Sequence, residues 1–277
     1  MIQGTASGVG KSIISIGICR ILKRKGFDVA PFKSQNMSSN SYRLGNGLEM
    51  AKTQAIAAWA CEIEPDADMN PILLKPVGGA AEVIVQGKSF GVMDRNEYEE
   101  YKLCGAMFPV LESYHRIARR HDIIVLEGAG SPVELNMKDS DIANMIMATK
   151  IGAPVILVAD IDRGGVFASV LGTLVLFNPH EKNLVKGIIV NKCRGQLESF
   201  NSVRNLLEHN TGIDVLGMVP YLDIEIEDED LLCDSRTGLK TETPGITNAL
   251  RMHQFDVLAD SLEQHLDVQK IIEMVSW

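Results

Sequence analysis

The chain has 277 residues, 45% of them hydrophobic and 5% aromatic, and a formal net charge of −9. That length suits one large domain or two small ones with a substantial core. The acidic balance argues against a nucleic-acid surface, and no apolar run reaches membrane-spanning length.

The first strand is a stub, Met1 to Gln3, unless residues precede it. The opening does not read as a signal peptide, because a polar glycine turn and Lys11 stand where an apolar core would be. Gly4-Thr5-Ala6-Ser7-Gly8-Val9-Gly10-Lys11-Ser12 is a glycine-rich turn ending in Gly-Lys-Ser. Ile13, Ile14, Ile16, Ile18, Ile21 and Leu22 follow at helical spacing. Small residues let successive backbone N–H groups converge on one point, and the helix adds the positive end of its dipole. Lys11 is expected to reach the outer phosphates of a nucleotide and Ser12 to offer its hydroxyl to Mg²⁺. Five residues separate Gly4 from Gly10, one more than in the standard phosphate loop.

The helix is expected to end near Lys25 and Gly26, with strand two over Phe27 to Phe32 and a polar loop over 33–41. An alanine-rich helix is read over 49–62, broken by Asp68-Met69-Asn70-Pro71 before Ile72 to Pro76. Val83 to Val85 and the segment after Gly87-Lys88 suit a hairpin, and 96–120 a long helical stretch. Four apolar runs then follow, over 122–127, 153–160, 185–190 and 214–219, separated by helical segments at 138–151, 164–177 and 196–210. Continuous apolar runs of this length read as buried parallel strands. The predicted fold is α/β, a parallel sheet with helices on both faces and right-handed crossovers. Residues 223–248 read as a long polar surface loop and Phe255 to Asp267 as an amphipathic helix.

Five cysteines, Cys19, Cys61, Cys104, Cys193 and Cys233, lie far apart without a Cys-x-x-Cys pair. This points to reduced thiols in the cytoplasm rather than disulfides or zinc. The six histidines show no ligand spacing, and His115 and His121 read as exposed.

In open parallel sheets, ligands gather beyond the carboxyl ends of the strands. Polar clusters fall at five such ends: the phosphate loop, Lys33 with Gln35 and Asn36, Glu127 to Pro132, Asp160 to Gly165, and Asn191 to Gly195. A carboxylate at Glu127, closing a buried strand, needs a cation or donors. A nucleotide-bound Mg²⁺ would serve, and capping of the next loop is the alternative. Lys33 is either a surface lysine or a group that neutralises charge on a transferred phosphoryl. Asp160, Asp162 and Arg163 form either a local ion pair or, with Gly164 and Gly165, an anion site at a helix start. The acidic run 225–230 reads as a solvated loop.

Several of these stretches resemble one family. They are the long phosphate loop, Phe32-Lys33-Ser34-Gln35-Asn36-Met37-Ser38, Asp68 to Pro76, Glu127 to Pro132, Asp160 to Phe167, and Val190 to Gly195. Together they resemble the ATP-binding amidation domain of cobyric acid synthases, within the dethiobiotin synthetase-like P-loop group, over about residues 1–233. The resemblance implies ATP- and Mg²⁺-dependent amidation of the b, d, e and g carboxylates of adenosylcobyrinic acid a,c-diamide, through acyl phosphates, in cobalamin biosynthesis. It implies that Gly4, Thr5, Ser7, Gly8, Val9, Gly10, Lys11 and Ser12 hold ATP and that Asn191 reads adenine. Ser12 and Glu127 would hold Mg²⁺, with Lys11, Lys33 and Glu127 catalytic. Gln35, Asn36, Asp162, Arg163 and Gly164 would face the substrate. The family continues into a glutaminase domain that these residues do not include, so ammonia or a separate glutaminase subunit is the expected nitrogen source. Residues 234–254 are expected to link to a C-terminal helix over 255–277 packed on the same domain. A corrin is the expected partner, with no nucleic acid or membrane, and a homodimer is left open. Other members of the ligase group, such as cobyrinate a,c-diamide synthase, and a nucleotide-switched ATPase of the ParA/MinD type are the alternatives.

Overall fold

In the computed structural model, residues 1–222 and 248–275 are described. The expected surface loop, the acidic run 225–230 and Cys233 therefore lie outside the described residues, apart from residue 248.

The chain opens with β1 (Ile2–Gly4), α1 (Lys11–Arg24) and β2 (Val29–Phe32). Three short strands follow, β3 (Gln35–Met37), β4 (Ser41–Arg43) and β5 (Glu49–Ala51), and then α2 (Lys52–Ala60). The meander β6 (Ile72–Val77), β7 (Ala80–Val85) and β8 (Lys88–Met93) leads into α3 (Arg95–Tyr101) and α4 (Met107–Ala118). The second half alternates β9 (Ile123–Leu126), α5 (Met145–Ile151), β10 (Val155–Asp160), α6 (Val166–Leu176) and α7 (Pro179–Leu184). It continues with β11 (Val185–Cys193), α8 (Asn201–Thr211), β12 (Val215–Pro220), α9 (Asn248–His265) and α10 (Val268–Glu273).

The strands β1, β10, β11 and β12 pair in parallel in the order β1-β10-β11-β12, and β2 pairs with β9 in parallel. A parallel bridge between Ile2 and Glu127 joins the two groups into the row β2-β9-β1-β10-β11-β12. The phosphate loop thus leaves a central strand, with strands of later sequence on both sides, where α/β sheets open a crevice.

Alternation along β10 shows why both faces are covered. Ile156 and Val158 join the core beneath α1 and α9, with Ile14, Ile18, Phe255, Leu258 and Leu262. Val155, Leu157 and Ala159 join the opposite core, with residues of α5, α6 and α8. A Cβ on Gly17 would stand 2.2 Å from Leu262 Cδ1, so the glycine lets α9 approach α1 closely. Arg20 of α1 donates to Asp256 of α9 and to Glu62, each at 2.8 Å.

A second sheet, in the order β3-β6-β7-β8, packs beside the first. β3 runs parallel to β6, which then turns back through two antiparallel hairpin pairings.

Several expectations change. Gln35 to Met37 is a strand rather than a loop, because β6 supplies its partner from far along the chain. Residues 49–51 pair with 41–43, so the alanine-rich helix begins at Lys52. The long stretch 96–120 is interrupted by a π-helical segment at Lys102–Ala106. The helix expected at 138–151 resolves into a 3₁₀ turn (Lys138–Ser140) and α5. The expected linker 234–254 overlaps α9, which begins at Asn248 rather than at 255. After it the chain pairs Leu266 with Gly217 beside β12, and α10 adds a further helix.

Candidate functional site

The loop after β1 is shaped by its glycines. Gly8 has φ 70 and Gly10 φ 96, in the left-handed region that glycine enters without strain. A Cβ on Gly4 would lie 2.6 Å from Val9 Cγ2, so the loop also closes tightly on itself. Thr5 N–H donates to the Val158 carbonyl at 2.9 Å, pinning the loop to β10. The first turn of α1 has no side-chain cap and no acidic residue. Its terminal N–H groups and the dipole are therefore directed at whatever sits in the loop. Lys11 is folded across the loop, 1% exposed, with Nζ donating to the Ala6 carbonyl at 3.3 Å.

Three side chains, two from strand ends and one from the first turn of α1, converge beside it. Glu127 follows β9, Lys33 follows β2 and Ser12 is the second residue of α1. Glu127 Oε1 accepts from Ser12 Oγ at 2.8 Å and from Lys33 Nζ at 2.8 Å. Lys33 is 5% and Glu127 4% exposed. Lys33, open as a surface residue on sequence grounds, is therefore a buried ion-pair partner. A hydroxyl and a single carboxylate are the hard oxygen donors that Mg²⁺ uses when phosphates and waters complete its octahedron. Among the described residues no three His, Cys, Asp or Glu side chains gather into an all-protein metal cage. The donor set therefore fits a metal that arrives with phosphates.

Across the loop lies the end of β11. Asn191 Nδ2 donates to the Val9 carbonyl at 2.8 Å, and a Cβ on Gly10 would stand 2.2 Å from that nitrogen. Lys192, at φ 63, donates to the Gly8 carbonyl and pairs with Asp160 at 3.0 Å. This contact was not singled out from the sequence, which gives no hint of the positive φ that directs the side chain.

Asp162, Arg163 and Gly164 follow β10 and are exposed. Asp162 accepts from Arg194 Nε at 2.6 Å, and that hydrogen bond holds its carboxyl below the usual range. Arg194 in turn stacks on the Tyr221 ring at 3.7 Å.

On the β9 side opens a cleft of about 570 Å³, running from Ser7 to the second sheet and α3 and closed by the segment 129–144. Gln35 lines it, whereas Asp162, Arg163 and Gly164 do not. Asn36 is buried behind, donating to Thr53 Oγ1 at 3.3 Å and accepting from Asn70 Nδ2 at 3.1 Å. Asn70 also donates to the Lys33 and Ile72 carbonyls, both at 3.1 Å, so it ties β2 to the second sheet. Asn144 grips Ala129, accepting from its N–H at 3.2 Å and donating to its carbonyl at 2.7 Å. A Cβ on Gly128 would stand 2.2 Å from Asn144 Oδ1, which explains the glycine directly after Glu127. Asp141 accepts from the Ala143 and Asn144 N–H groups, and burial pushes its carboxyl above the usual range. Only the Asp-x-x-Asn spacing at 141–144, just before α5, signals this clamp in the sequence.

A family profile described as "CobQ/CobB/MinD/ParA nucleotide binding domain" matches residues 1–231. The cobyric acid synthase of Yersinia enterocolitica is 52% identical over 231 residues, 83% of this chain and 45% of that protein. That of Clostridium botulinum is 53% identical over 253 residues, 90% of this chain and 50% of that protein. That of Vibrio parahaemolyticus is 44% identical over 265 residues, 93% and 55%. The chain spans about half the length of the curated relatives it matches.

Proposed function

This chain belongs to the CobQ/CobB/MinD/ParA nucleotide-binding family, and from that premise we propose that it is the ATP-dependent amidation unit of a cobyric acid synthase. The acceptors would be the b, d, e and g carboxylates of adenosylcobyrinic acid a,c-diamide. The observation that carries the reading is the meeting of Ser12, Lys33 and Glu127 beside a phosphate loop.

The chemistry follows from these groups. ATP supplies the phosphoryl group: a carboxylate oxygen attacks the γ-phosphorus, ADP leaves, and an acyl phosphate forms. Ammonia then attacks the acyl carbon and phosphate leaves. Loop N–H groups and Lys11 hold the phosphates. Ser12 and Glu127 would hold Mg²⁺. Lys33, already ion-paired to Glu127, can turn its ammonium toward charge developing on the transferred phosphoryl.

Asn191 is the candidate reader of the base. Its Nδ2 is engaged by Val9, which leaves Oδ1 as an acceptor. An acceptor there suits the exocyclic amine of adenine and not the carbonyl of guanine.

The direct test is to incubate cobyrinic acid a,c-diamide with the protein, ATP, Mg²⁺ and ammonium and follow the product by mass spectrometry. Successive exchanges of hydroxyl for amine, each dependent on ATP, are the expected result. ATP hydrolysis indifferent to the corrin would sink the assignment.

A further inference from the structure

We infer that the cleft between the phosphate loop and the second sheet is the acceptor pocket, built for a broad apolar ring system carrying peripheral carboxylates, with Arg95 and Gln35 as its reading groups. This rests on the corrin reading above and assigns that ligand a site.

Asn191 and Lys192 meet the phosphate loop at Val9 and Gly8, from the β11 side. The cleft meets the same loop at Ser7, from the β9 side. Nucleotide base and acceptor would therefore reach the phosphates from opposite sides, which keeps the base out of the acceptor's path to the γ-phosphorus. At about 570 Å³ the cleft lies within the range of small-molecule sites.

Its lining is mostly apolar, with Met37 and Leu74 from the second sheet and Met93 before α3. The polar groups are selectively spent. Glu99 accepts from Lys102 and Ser140, Asp94 caps α3, and Asp141 caps the turn before α5. Lys138 is paired with Glu181. Glu134 stands exposed at the rim. Arg95, in contrast, makes no close ion pair or side-chain hydrogen bond among the described residues and feels Glu99, one turn along α3, only through space, although it lines the cleft at the start of α3. Gln35 Oε1 accepts from Tyr98 Oη at 2.8 Å, and burial keeps that phenol protonated. The Gln35 amide nitrogen is then the donor left for a ligand. A guanidinium whose N–H donors have no side-chain acceptor among the described residues, and an amide donor, over an apolar floor, match carboxylates on the edge of a hydrophobic ring.

The test is equilibrium binding of dicyanocobyrinic acid, followed by ultrafiltration and visible absorbance. Its heptamethyl ester, which has the same ring without charges, is the second probe. Arg95→Glu should weaken binding of the acid by about tenfold or more, the scale of a lost charge-assisted hydrogen bond. Arg95→Lys should weaken it less. The wild type should prefer acid to ester, and Arg95→Glu should lose that preference. Ala80→Trp, which fills the cleft from β7, should weaken both probes. Urea unfolding midpoints identify any variant that misfolds, and exposed Arg95 is the safer substitution. If the wild type binds the acid and the Arg95→Glu and Ala80→Trp proteins bind it equally well, the cleft assignment is overturned while the corrin reading stands. If the wild type binds no corrin, the corrin reading falls and takes this assignment with it.

Discussion

Lys33 Nζ and Glu127 Oε1 lie 2.8 Å apart at the ends of two neighbouring parallel strands, 94 residues apart in the chain. Each charge is buried, so each depends on the other to offset its desolvation. Such a pair makes poor sense as a stabilising device alone, since an apolar pair would pack as well. It makes sense where a metal and phosphates exchange partners with both members.

Removing one charge should therefore cost more than removing both. Lys33→Met should destabilise the nucleotide-free protein by about 3–5 kcal/mol. The Lys33→Met/Glu127→Gln double variant should be much closer to wild type. Urea unfolding of the two single variants and the double variant gives the coupling directly. Equal, additive losses would show that the charges do not depend on one another. All three variants should lose amidation.

Lys11 is the second target. Its stem is buried across the loop, so Lys11→Met keeps the packing while removing the ammonium. Turnover should fall about 10²-fold or more, the usual cost of losing a preorganised charge at the reacting group. A well-folded Lys11→Met protein with unaltered turnover would remove the phosphate-loop assignment.

Much of this was legible in the sequence because buried parallel strands betray themselves as apolar runs closed by polar residues. Gly4 to Ser12, Lys33, Glu127 and Asn191 all fall at such closures, and the structure brings them to one edge. The second sheet was not fully legible. Gln35 to Met37 is polar and three residues long, and becomes a strand only because β6 lies alongside. The cleft was invisible for the same reason. Gln35 on β3, Arg95 on α3 and Asn144 before α5 come from separate elements, and no local pattern announces that they share a cavity. Asp162 was readable only in part: its place after β10 shows in the sequence, but not its hydrogen bond from Arg194.

The base-reading role of Asn191 has its own test. Asn191→Ala should erode the preference for ATP over GTP and, by releasing the Val9 carbonyl, raise the KM for both. Gly10→Ala should fail more severely, because φ 96 and a contact of 2.2 Å with Asn191 both oppose a side chain. An Asn191→Ala protein with its full nucleotide preference would show that adenine is read elsewhere.

The tie between α1 and α9 should show in acid. The hydrogen bond from Arg20 holds the Asp256 carboxyl below its ordinary value of 3.8. A depressed folded-state value means stability that is present above 3.8 and is lost as pH falls through the folded value. Asp256 is partly exposed, so the contribution is modest, about 1 kcal/mol. Near neutral pH, Asp256→Asn should lower Tm by about 2–4 °C. The gap should close well below pH 3.8. A gap that persists there would mean that the loss is one of packing rather than charge.

Assayed by themselves, these 277 residues should use ammonium and not glutamine. Glutamine hydrolysis of the cysteine type needs a thiolate, a histidine base within hydrogen-bond reach and donors for the oxyanion. The described cysteines do not offer this. Cys19 and Cys61 are wholly buried, and a hydrogen bond with Cys61, aided by burial, pushes the Cys19 thiol well up. Burial pushes Cys193 up to about 11, which leaves little thiolate near neutrality. Cys104 is exposed on the π-helical segment, and among the described residues no histidine is hydrogen-bonded to any cysteine. Cys233 lies outside the described residues. The measurement supplies protein, ATP, Mg²⁺ and corrin with either glutamine or ammonium chloride. Amide product with ammonium and none with glutamine is expected. Adding a separate glutaminase should restore product with glutamine, because ammonia is the species that attacks the acyl phosphate. Glutamate released in step with amide by these residues alone would mean that one of the cysteines, Cys104 or Cys233 first, is a nucleophile.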